Sequence, residues 1–173
     1  MADLTKIKAF AFDIDGVFTD GGIYAIDGDL IRKFEAKDCM ATRIASMNGY
    51  KMGIITGGIS DTIAQRMVRC GFDLEDIYLG SRRKIEEFES FCSRHGLNPD
   101  EVLYCGDDLP DIPVLMAAGV AACPADAVDE VKAVCDIVSK RVGGRSFVRE
   151  VVESTLRAQG KWYLNDEQYK KFF

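Results

Sequence analysis

The sequence is poor in the residues that build zinc sites and disulfide frameworks. It contains one histidine, His95, and its six cysteines are scattered, with no Cys-x-x-Cys pair. Structural zinc sites need clustered cysteine and histidine ligands, and disulfide-rich proteins need a dense set of paired cysteines. We therefore interpret the cysteines as small apolar residues of a reducing compartment. His95 is expected in the last helical turn before Gly96.

Long apolar runs and an excess of basic charge are also missing. The apolar stretches are far shorter than the roughly 20 residues that a membrane-spanning helix needs. The segment MADLTKIKAF has no signal-peptide pattern. A net charge of −6 disfavours broad binding to nucleic acid or to an anionic membrane, because both partners require a basic face. We expect a cytoplasmic protein that binds neither nucleic acid nor membrane.

What the chain does contain is an alternation of β-rich and helical segments. Its 173 residues fit one domain, which we assign to residues 1–158, followed by a C-terminal tail at 159–173. The predicted strands are residues 7–12, 51–55, 76–79, 102–105, 120–122 and 136–138. This order predicts an α/β fold with a mostly parallel, Rossmann-like sheet flanked by helices. Ligands of such sheets bind at the carboxyl ends of the strands.

One segment, GIYAIDGDLIRKF, interrupts this alternation. It has the pattern of two short β runs around Asp27-Gly28, a dipeptide that favours tight hairpin turns. We predict a β-hairpin flap at about residues 22–35, which would project over the strand ends. No large cap domain is expected.

The ends of the predicted strands carry closely spaced carboxylates. In FDIDG, Asp13 and Asp15 point to the same side because side chains alternate along a strand. The fourth strand ends in GDDLPD, which adds Asp107, Asp108 and Asp111. Carboxylates from two strand ends would repel one another unless a hard divalent cation binds between them, and Mg²⁺ suits such a site.

Hydroxyl and ammonium donors follow two further strands. The second strand ends in IITGG, which exposes Thr56, and Lys84 follows the third strand in GSRRK. Carboxylates, a cation and these donors suit phosphoryl transfer, in which positive charge and donors surround the equatorial oxygens. We expect Asp13 to attack phosphorus as the nucleophile and Asp15 to act as general acid and base.

FDIDG, IITGG, Lys84 and GDDLPD, in this order, resemble the four motifs of the haloacid dehalogenase (HAD) superfamily of phosphohydrolases. DGVFTDGGIY, RKFEAKD, GGRSFVREVVE and AQGKW are similar to sequences in its small, capless members, the 3-deoxy-D-manno-octulosonate (KDO) 8-phosphate phosphatases. The resemblance implies a HAD fold. It also implies Mg²⁺-dependent hydrolysis of KDO 8-phosphate through an aspartyl-phosphate, in lipopolysaccharide sugar biosynthesis.

The resemblance further implies roles for individual residues and for the assembly. The metal ligands would be the Asp13 carboxylate, the Asp15 main-chain oxygen and Asp107, with support from Asp108 and Asp111. The phosphoryl group would be bound by Thr56, Gly57 and Lys84, and the sugar acid by Lys37, Asp38 and Arg145. The resemblance implies a homotetramer in which hairpins meet in a central barrel, so neighbouring subunits would complete each active site and shield it from water.

Three alternatives stay open at this point. Gly58 stands where relatives acting on a nine-carbon sugar acid 9-phosphate tend to place glutamate, which favours the eight-carbon substrate without deciding the matter. A signalling receiver domain also uses aspartates, a threonine, a lysine and Mg²⁺, but it lacks a carboxylate such as Asp15 beside the nucleophile. A regulatory homologue that keeps the fold and accepts phosphate without turnover is the third alternative.

Overall fold

The computed structural model describes residues 2–27, 29–162 and 165–172. Strands within these residues are β1 (Ala9–Phe12), β2 (Tyr24–Ile26), β3 (Asp29–Ile31), β4 (Lys51–Ile55), β5 (Ile77–Tyr78), β6 (Val102–Cys105), β7 (Val120–Cys123) and β8 (Ile137–Val138). The α-helices are α1 (Ala36–Met47), α2 (Asp61–Arg69), α3 (Lys84–His95), α4 (Ile112–Ala117), α5 (Asp129–Lys132), α6 (Phe147–Ala158) and α7 (Asp166–Phe172). None of the helices in this part of the chain combines the length and apolar character that crossing a membrane requires.

Six of the strands form one parallel sheet in the order β5-β4-β1-β6-β7-β8. The central strand β1 pairs with both β4 and β6, which aligns Phe12 with Ile54 on one side and with Cys105 on the other. The strand order therefore runs outward in both directions from β1. This makes the edge after β1 the switch point at which open α/β sheets bind ligands. The predicted α/β class, parallel sheet and flanking helices are confirmed.

The side chains of β1 alternate between two apolar layers. Phe10 and Phe12 pack in the layer that includes α1, α2 and α6, whereas Ala9 and Ala11 pack in the layer with α3, α4 and α5. All four side chains are buried. Burial of each phenylalanine contributes about 1.5–3 kcal/mol. Because both faces of β1 are packed, the residues that follow it start from a rigid base.

The strands β2 and β3 form a separate antiparallel hairpin, which pairs Tyr24 with Ile31. Asp27 has a φ of 49°, in the left-handed region that a tight hairpin turn requires. Its partner in the predicted turn, Gly28, lies outside the described residues. The hairpin flap predicted after the first strand is therefore present. The described chain continues from it into α1 without a cap domain.

The largest difference from the sequence prediction within the secondary structure is at the C-terminus. No helical pattern was assigned to residues 159–173, yet α7 occupies Asp166–Phe172. A helix of seven residues is shorter than the window of roughly 11–18 residues over which apolar periodicity is recognisable. Near the other end of the chain, β1 begins at Ala9, two residues later than predicted. It follows a 3₁₀ turn at residues 4–6 that is capped by Asp3.

The interpretation of all six cysteines as free thiols is wrong for one pair. Cys39 in α1 and Cys70 at the C-cap of α2 form a disulfide, with Cα atoms 4.7 Å apart. Thr42, one turn after Cys39, also donates its hydroxyl to the Cys70 carbonyl at 2.9 Å. The two cysteines are 31 positions apart in the sequence, so the pairing depends on packing and not on a local motif. His95 does lie in the last turn of α3, as predicted.

Candidate active site

Asp13 and Asp15 follow β1 at the carboxyl edge of the sheet. The amide of Asp13 donates to the carbonyl of Cys105 at 3.0 Å, so the hydrogen bonding between β1 and β6 continues through this residue. Ile14, between the two aspartates, is buried, and Gly16 turns the chain with a φ of 82°. Glycine adopts this left-handed conformation without the strain that other residues incur. The two aspartates therefore line the same cavity.

A buried ammonium group lies beside the Asp13 carboxylate. Lys84, the first residue of α3, places Nζ 2.7 Å from Oδ2 of Asp13 and 2.8 Å from Oδ1 of Asp111. Burial and the Asp111 charge raise the pKa of Asp13 to about 6, although Lys84 opposes the rise. Asp13 is therefore mainly an ionised carboxylate at neutral pH. Burial lowers the pKa of Lys84, but Asp13 and Asp111 outweigh burial and raise it, so the ammonium form is favoured.

Asp111 supports the GDDLPD loop from beneath. Its side chain is fully buried, and its Oδ2 atom accepts the backbone N–H groups of Asp107 at 3.1 Å and Asp108 at 3.3 Å. Its Oδ1 atom is held by Lys84 and by the hydroxyl of Tyr104, which donates at 2.6 Å. With both oxygens occupied by donors, Asp111 is better suited to orienting the loop than to binding a cation directly.

The carboxylates at this edge fit a hard divalent cation. Asp13, Asp107 and Asp111 each bring one carboxylate oxygen within 4.8 Å of the others. The Oδ1 atom of Asp107 is buried and has no hydrogen-bond partner among the described residues. Burial, followed by the charges of Asp13 and Asp111, raises the pKa of Asp107 to about 8. A cation with oxygen ligands would relieve both the unsatisfied oxygen and the crowded negative charge.

Donors from β4 and from the loop after β5 complete the edge. The amide of Thr56 donates to the carbonyl of Tyr78 at 3.0 Å, and its buried hydroxyl oxygen accepts the N–H of Gly58 at 3.3 Å. The hydroxyl therefore keeps its own proton to donate to a ligand. The amide of Ser81 donates to the Thr56 carbonyl at 2.9 Å. This bond holds the loop that leads to Lys84 against the threonine.

One cavity of about 470 Å³ gathers most of the predicted residues. Those that line it are Asp13, Asp15, Thr56, Gly57, Lys84, Asp107 and Asp108. Among the residues that the structure describes, the lining omits Asp111, which lies beneath the GDDLPD loop, and also Lys37, Asp38 and Arg145. Lys37 and Arg145 are exposed to solvent. Asp38 is fully buried, and its Oδ1 atom accepts the N–H of Arg149 at 2.7 Å, so it caps the first turn of α6 and does not face the cavity.

Two arginines at the site were not singled out from the sequence. Arg82 is part of the cavity lining. Arg32, which directly follows β3, donates from Nε to Oδ1 of Asp15 at 2.6 Å and from Nη2 to Oδ2 at 3.0 Å. Its occurrence in RKFEAKD was the available signal. A contact between residues 17 positions apart leaves no spacing pattern to recognise.

Comparison with known proteins places this site in a defined class. A family model of haloacid dehalogenase-like hydrolases matches residues 34–143. The chain belongs to the haloacid dehalogenase-like hydrolases, as its four motifs predicted, and the receiver-domain alternative is not supported. Within that class it is similar to the 3-deoxy-D-manno-octulosonate 8-phosphate phosphatase of Escherichia coli K12. The two are 33% identical over 162 residues, which cover 93% of this chain and 85% of the relative.

Among solved structures, the chain is again similar to 3-deoxy-D-manno-octulosonate 8-phosphate phosphatases. The 3-deoxy-D-manno-octulosonate 8-phosphate phosphatase of Yersinia pestis matches with a TM-score of 0.88 and 30% identity, over 91% of this chain and 85% of that one. The enzyme of the same name from Moraxella catarrhalis matches with a TM-score of 0.88 and 29% identity, over 98% of this chain and 95% of that one. The Moraxella structure is a complex with a magnesium ion, a phosphate ion and a KDO molecule.

Proposed function

We propose that this chain is a Mg²⁺-dependent phosphoric monoester hydrolase that converts KDO 8-phosphate to KDO and inorganic phosphate. The observation that carries the proposal is the convergence of Asp13, Asp15, Thr56, Lys84 and Asp107 on one cavity at the switch point of the sheet. Similarity to phosphatases of that name supports the choice of substrate. A cytoplasmic location and a place in lipopolysaccharide sugar synthesis are parts of the same proposal.

The reaction would proceed in two steps that use the two aspartates differently. In the first step, a carboxylate oxygen of Asp13 attacks phosphorus, the bond between phosphorus and the sugar oxygen breaks, and Asp15 gives a proton to that oxygen. In the second step, Asp15 takes a proton from water, the water oxygen attacks phosphorus, and the bond to Asp13 breaks. Phosphate then leaves, and Asp15 again holds a proton, now the one taken from water.

The remaining residues of the site would bind the phosphoryl group. Thr56 would donate its hydroxyl, the Gly57 backbone would approach closely, and Lys84 would supply a positive charge to the equatorial oxygens. The Asp13 carboxylate, the Asp15 main-chain oxygen and Asp107 would hold Mg²⁺. When bound, the cation would neutralise negative charge on the phosphoryl oxygens. The buried, unsatisfied oxygen of Asp107 supports this assignment.

The sugar-acid end of the substrate would be bound by residues outside the phosphoryl site. Lys37 and Arg145 are exposed cations. They suit the carboxylate of the sugar acid in a site that a neighbouring subunit completes. Asp38 would contribute indirectly, through its hydrogen bond to the start of α6. Gly58 stands where relatives that act on the nine-carbon acid tend to carry glutamate. We therefore favour the eight-carbon acid as the substrate.

We further propose that the active form is a homotetramer. The hairpin exposes five large apolar side chains, each with 45–57% of its surface accessible: Ile23, Tyr24, Ile26, Leu30 and Ile31. Hairpins from four subunits that met around one axis would cover these side chains, and full burial of each would contribute about 1.5–3 kcal/mol. They would also close the cavity above Asp15.

Light scattering coupled to size exclusion tests the assembly. The double variant Ile26→Lys with Leu30→Lys should dissociate and lose activity. The matched control is Leu74→Lys, because Leu74 is 66% exposed and lies outside the hairpin. A wild-type chain that is monomeric and fully active would contradict the proposed tetramer.

Phosphate release tests the proposed reaction. We expect turnover of KDO 8-phosphate that requires Mg²⁺, exceeds turnover of a nine-carbon sugar acid 9-phosphate, and disappears in Asp13→Asn. Asp129→Asn is the matched control, because its side chain is 99% exposed. A preference for the nine-carbon acid would correct the substrate. Absence of turnover on every phosphate ester, with Mg²⁺ still bound, would favour the regulatory homologue.

A further inference from the structure

Arg32 joins the hairpin to the carboxylate of Asp15. Its Nε and Nη2 atoms face the two carboxylate oxygens of Asp15 at 2.6 and 3.0 Å, which makes a bidentate pair. Two parallel hydrogen bonds fix the position and also the plane of a carboxylate, which a single bond to a lysine does not. Among the described residues, no other side chain donates to the Asp15 carboxylate.

The guanidinium group is itself held in place by the hairpin. Its Nη1 atom donates to the carbonyl of Leu30 in β3 at 3.2 Å. The side chain of Arg32 is only 5% exposed, against 27% for Asp15. Hydrogen bonds of a charged pair that is largely shielded from solvent are stronger than those of an exposed pair. The orientation of Asp15 therefore depends on the backbone of the flap.

Gly58 provides the room that Arg32 occupies. A Cβ atom at this position would lie 3.1 Å from Nη2 of Arg32 and 3.2 Å from Cδ1 of Ile63. Both distances are tighter than ordinary van der Waals contact, so a side chain here would press on the guanidinium group. The loop after β4 is thus shaped to accept an arginine that comes from the hairpin.

We propose that Arg32 is the positioning residue for Asp15, so that the hairpin, and not the sheet, orients the acid and base of the reaction. The inference rests on the proposed function, because it concerns the proton that Asp15 gives to the leaving oxygen. The support is geometric: the two hydrogen bonds fix the plane of the Asp15 carboxyl group, and a proton passes to the leaving oxygen only from a group held within hydrogen-bonding reach at the correct angle.

The leaving group tests this role, because only a poor leaving group needs the proton. Three substrates separate the possibilities: KDO 8-phosphate, a sugar phosphate without a carboxylate, and an aryl phosphate whose leaving group departs as an anion. In Arg32→Gln, kcat/KM should fall about 100-fold for both sugar phosphates, at the lower end of the range that general acids contribute, and should change little for the aryl phosphate. Arg32→Lys should recover part of the loss.

Two further variants keep the test independent of folding. Lys33→Gln is the matched control, since the adjacent Lys33 forms an ion pair with Asp20 at the surface, and it should behave as wild type. Gly58→Ala displaces the guanidinium without removing its charge and should reproduce the leaving-group pattern. The double variant Arg32→Gln with Gly58→Ala should be no worse than Arg32→Gln alone, because both changes remove one interaction. The magnesium affinity of these variants should stay close to that of wild type, and a lower melting temperature alone would reduce the rates on all three substrates alike.

Two results would overturn the inference. Equal losses on all three substrates would make Arg32 a purely structural residue. A loss confined to KDO 8-phosphate would make it a ligand of the substrate carboxylate. A wild-type enzyme without activity on any of the three substrates would contradict the proposed function instead.

Discussion

The Nζ atom of Lys84 lies 2.7 Å from Oδ2 of Asp13, and both side chains are almost entirely shielded from solvent. Two charges in such a place are tolerable only because each neutralises the other and further donors satisfy the remaining oxygens. Asp111 extends the pair, since it also accepts from Lys84 at 2.8 Å. The proposed nucleophile, Asp13, is therefore held as a carboxylate by the same group that would contact the phosphoryl oxygens.

Lys84→Met should disable the enzyme and destabilise it. The change leaves two buried carboxylates without their cation, which should lower the free energy of unfolding by about 3–5 kcal/mol. The loss should shrink when Mg²⁺ is added, because the cation then supplies positive charge. We expect kcat to fall by about 100-fold or more, as for removal of one transition-state donor. Denaturant unfolding and steady-state phosphate release measure the two effects.

The control for this prediction is Lys132→Met. Lys132 forms an ion pair with Asp129 at 3.7 Å on the surface of α5, and such exposed pairs contribute about 0–1 kcal/mol. Its activity should equal that of wild type. A Lys84→Met enzyme with normal kcat would show that the ammonium group serves the fold alone.

The part of the site that sequence could predict is the part attached to strand ends. Asp13, Thr56, Lys84 and Asp107 each follow a strand of the parallel sheet, directly or after a short loop, and the parallel order brings all strand ends to one edge. Local motifs were sufficient to predict these residues, because each motif follows a strand and the sheet topology fixes where the strand ends.

Contacts between distant segments were not predictable in this way. Arg32 reaches Asp15 from the hairpin, Asp38 caps a helix 111 positions later, and Cys39 pairs with Cys70. Each contact depends on how a helix or hairpin packs, and none leaves a spacing pattern in the chain. Asp38 is an example. It was predicted to bind the substrate, yet its carboxylate is buried in the protein.

Magnesium affinity should depend on pH through Asp107. The pKa of Asp107 is about 8 in the fold, above its ordinary value of 3.8, so the folded chain keeps a proton that the unfolded chain has lost. This contribution to stability is complete below about pH 4 and is lost as the pH rises through about 8. Mg²⁺ must displace the proton. Its affinity should therefore rise by up to about tenfold per pH unit below pH 8 and then level off.

Calorimetric titration with Mg²⁺ across this pH range measures the effect. In Asp107→Asn, the affinity should be low and should lose most of its dependence on pH between 6 and 8. A wild-type affinity that is constant over that range would contradict the assignment of Asp107 as the ligand that exchanges a proton for the cation.

The pair Cys39 and Cys70 should make stability sensitive to reductant. Closing a loop between residues 31 positions apart should stabilise the fold by about 3–4 kcal/mol in the chain-entropy treatment. Guanidinium unfolding with and without a reducing agent measures the difference. Without reductant, four of the six cysteines should react with a thiol reagent in the unfolded chain. Reaction of all six would contradict the pairing, and the variant Cys39→Ala with Cys70→Ala should be insensitive to reductant.

Gly143→Ala should damage the turn that carries Asp15, although Gly143 bears no functional group. A Cβ atom there would lie 1.8 Å from the carbonyl oxygen of Gly16 and 2.8 Å from that of Thr19. Both atoms belong to the backbone of the turn and cannot rotate away, so the turn itself must shift. We expect a loss of about 1–3 kcal/mol in unfolding free energy, as for other overpacked sites. Because the displaced backbone directly follows Asp15, kcat should fall more than the affinity for Mg²⁺.

The matched control is Gly22→Ala, whose Cβ would meet the side chain of Asp20, at 3.1 Å. That side chain can rotate, so the control should retain its stability and activity, and equal behaviour of the two variants would show that the turn accommodates the extra methyl group.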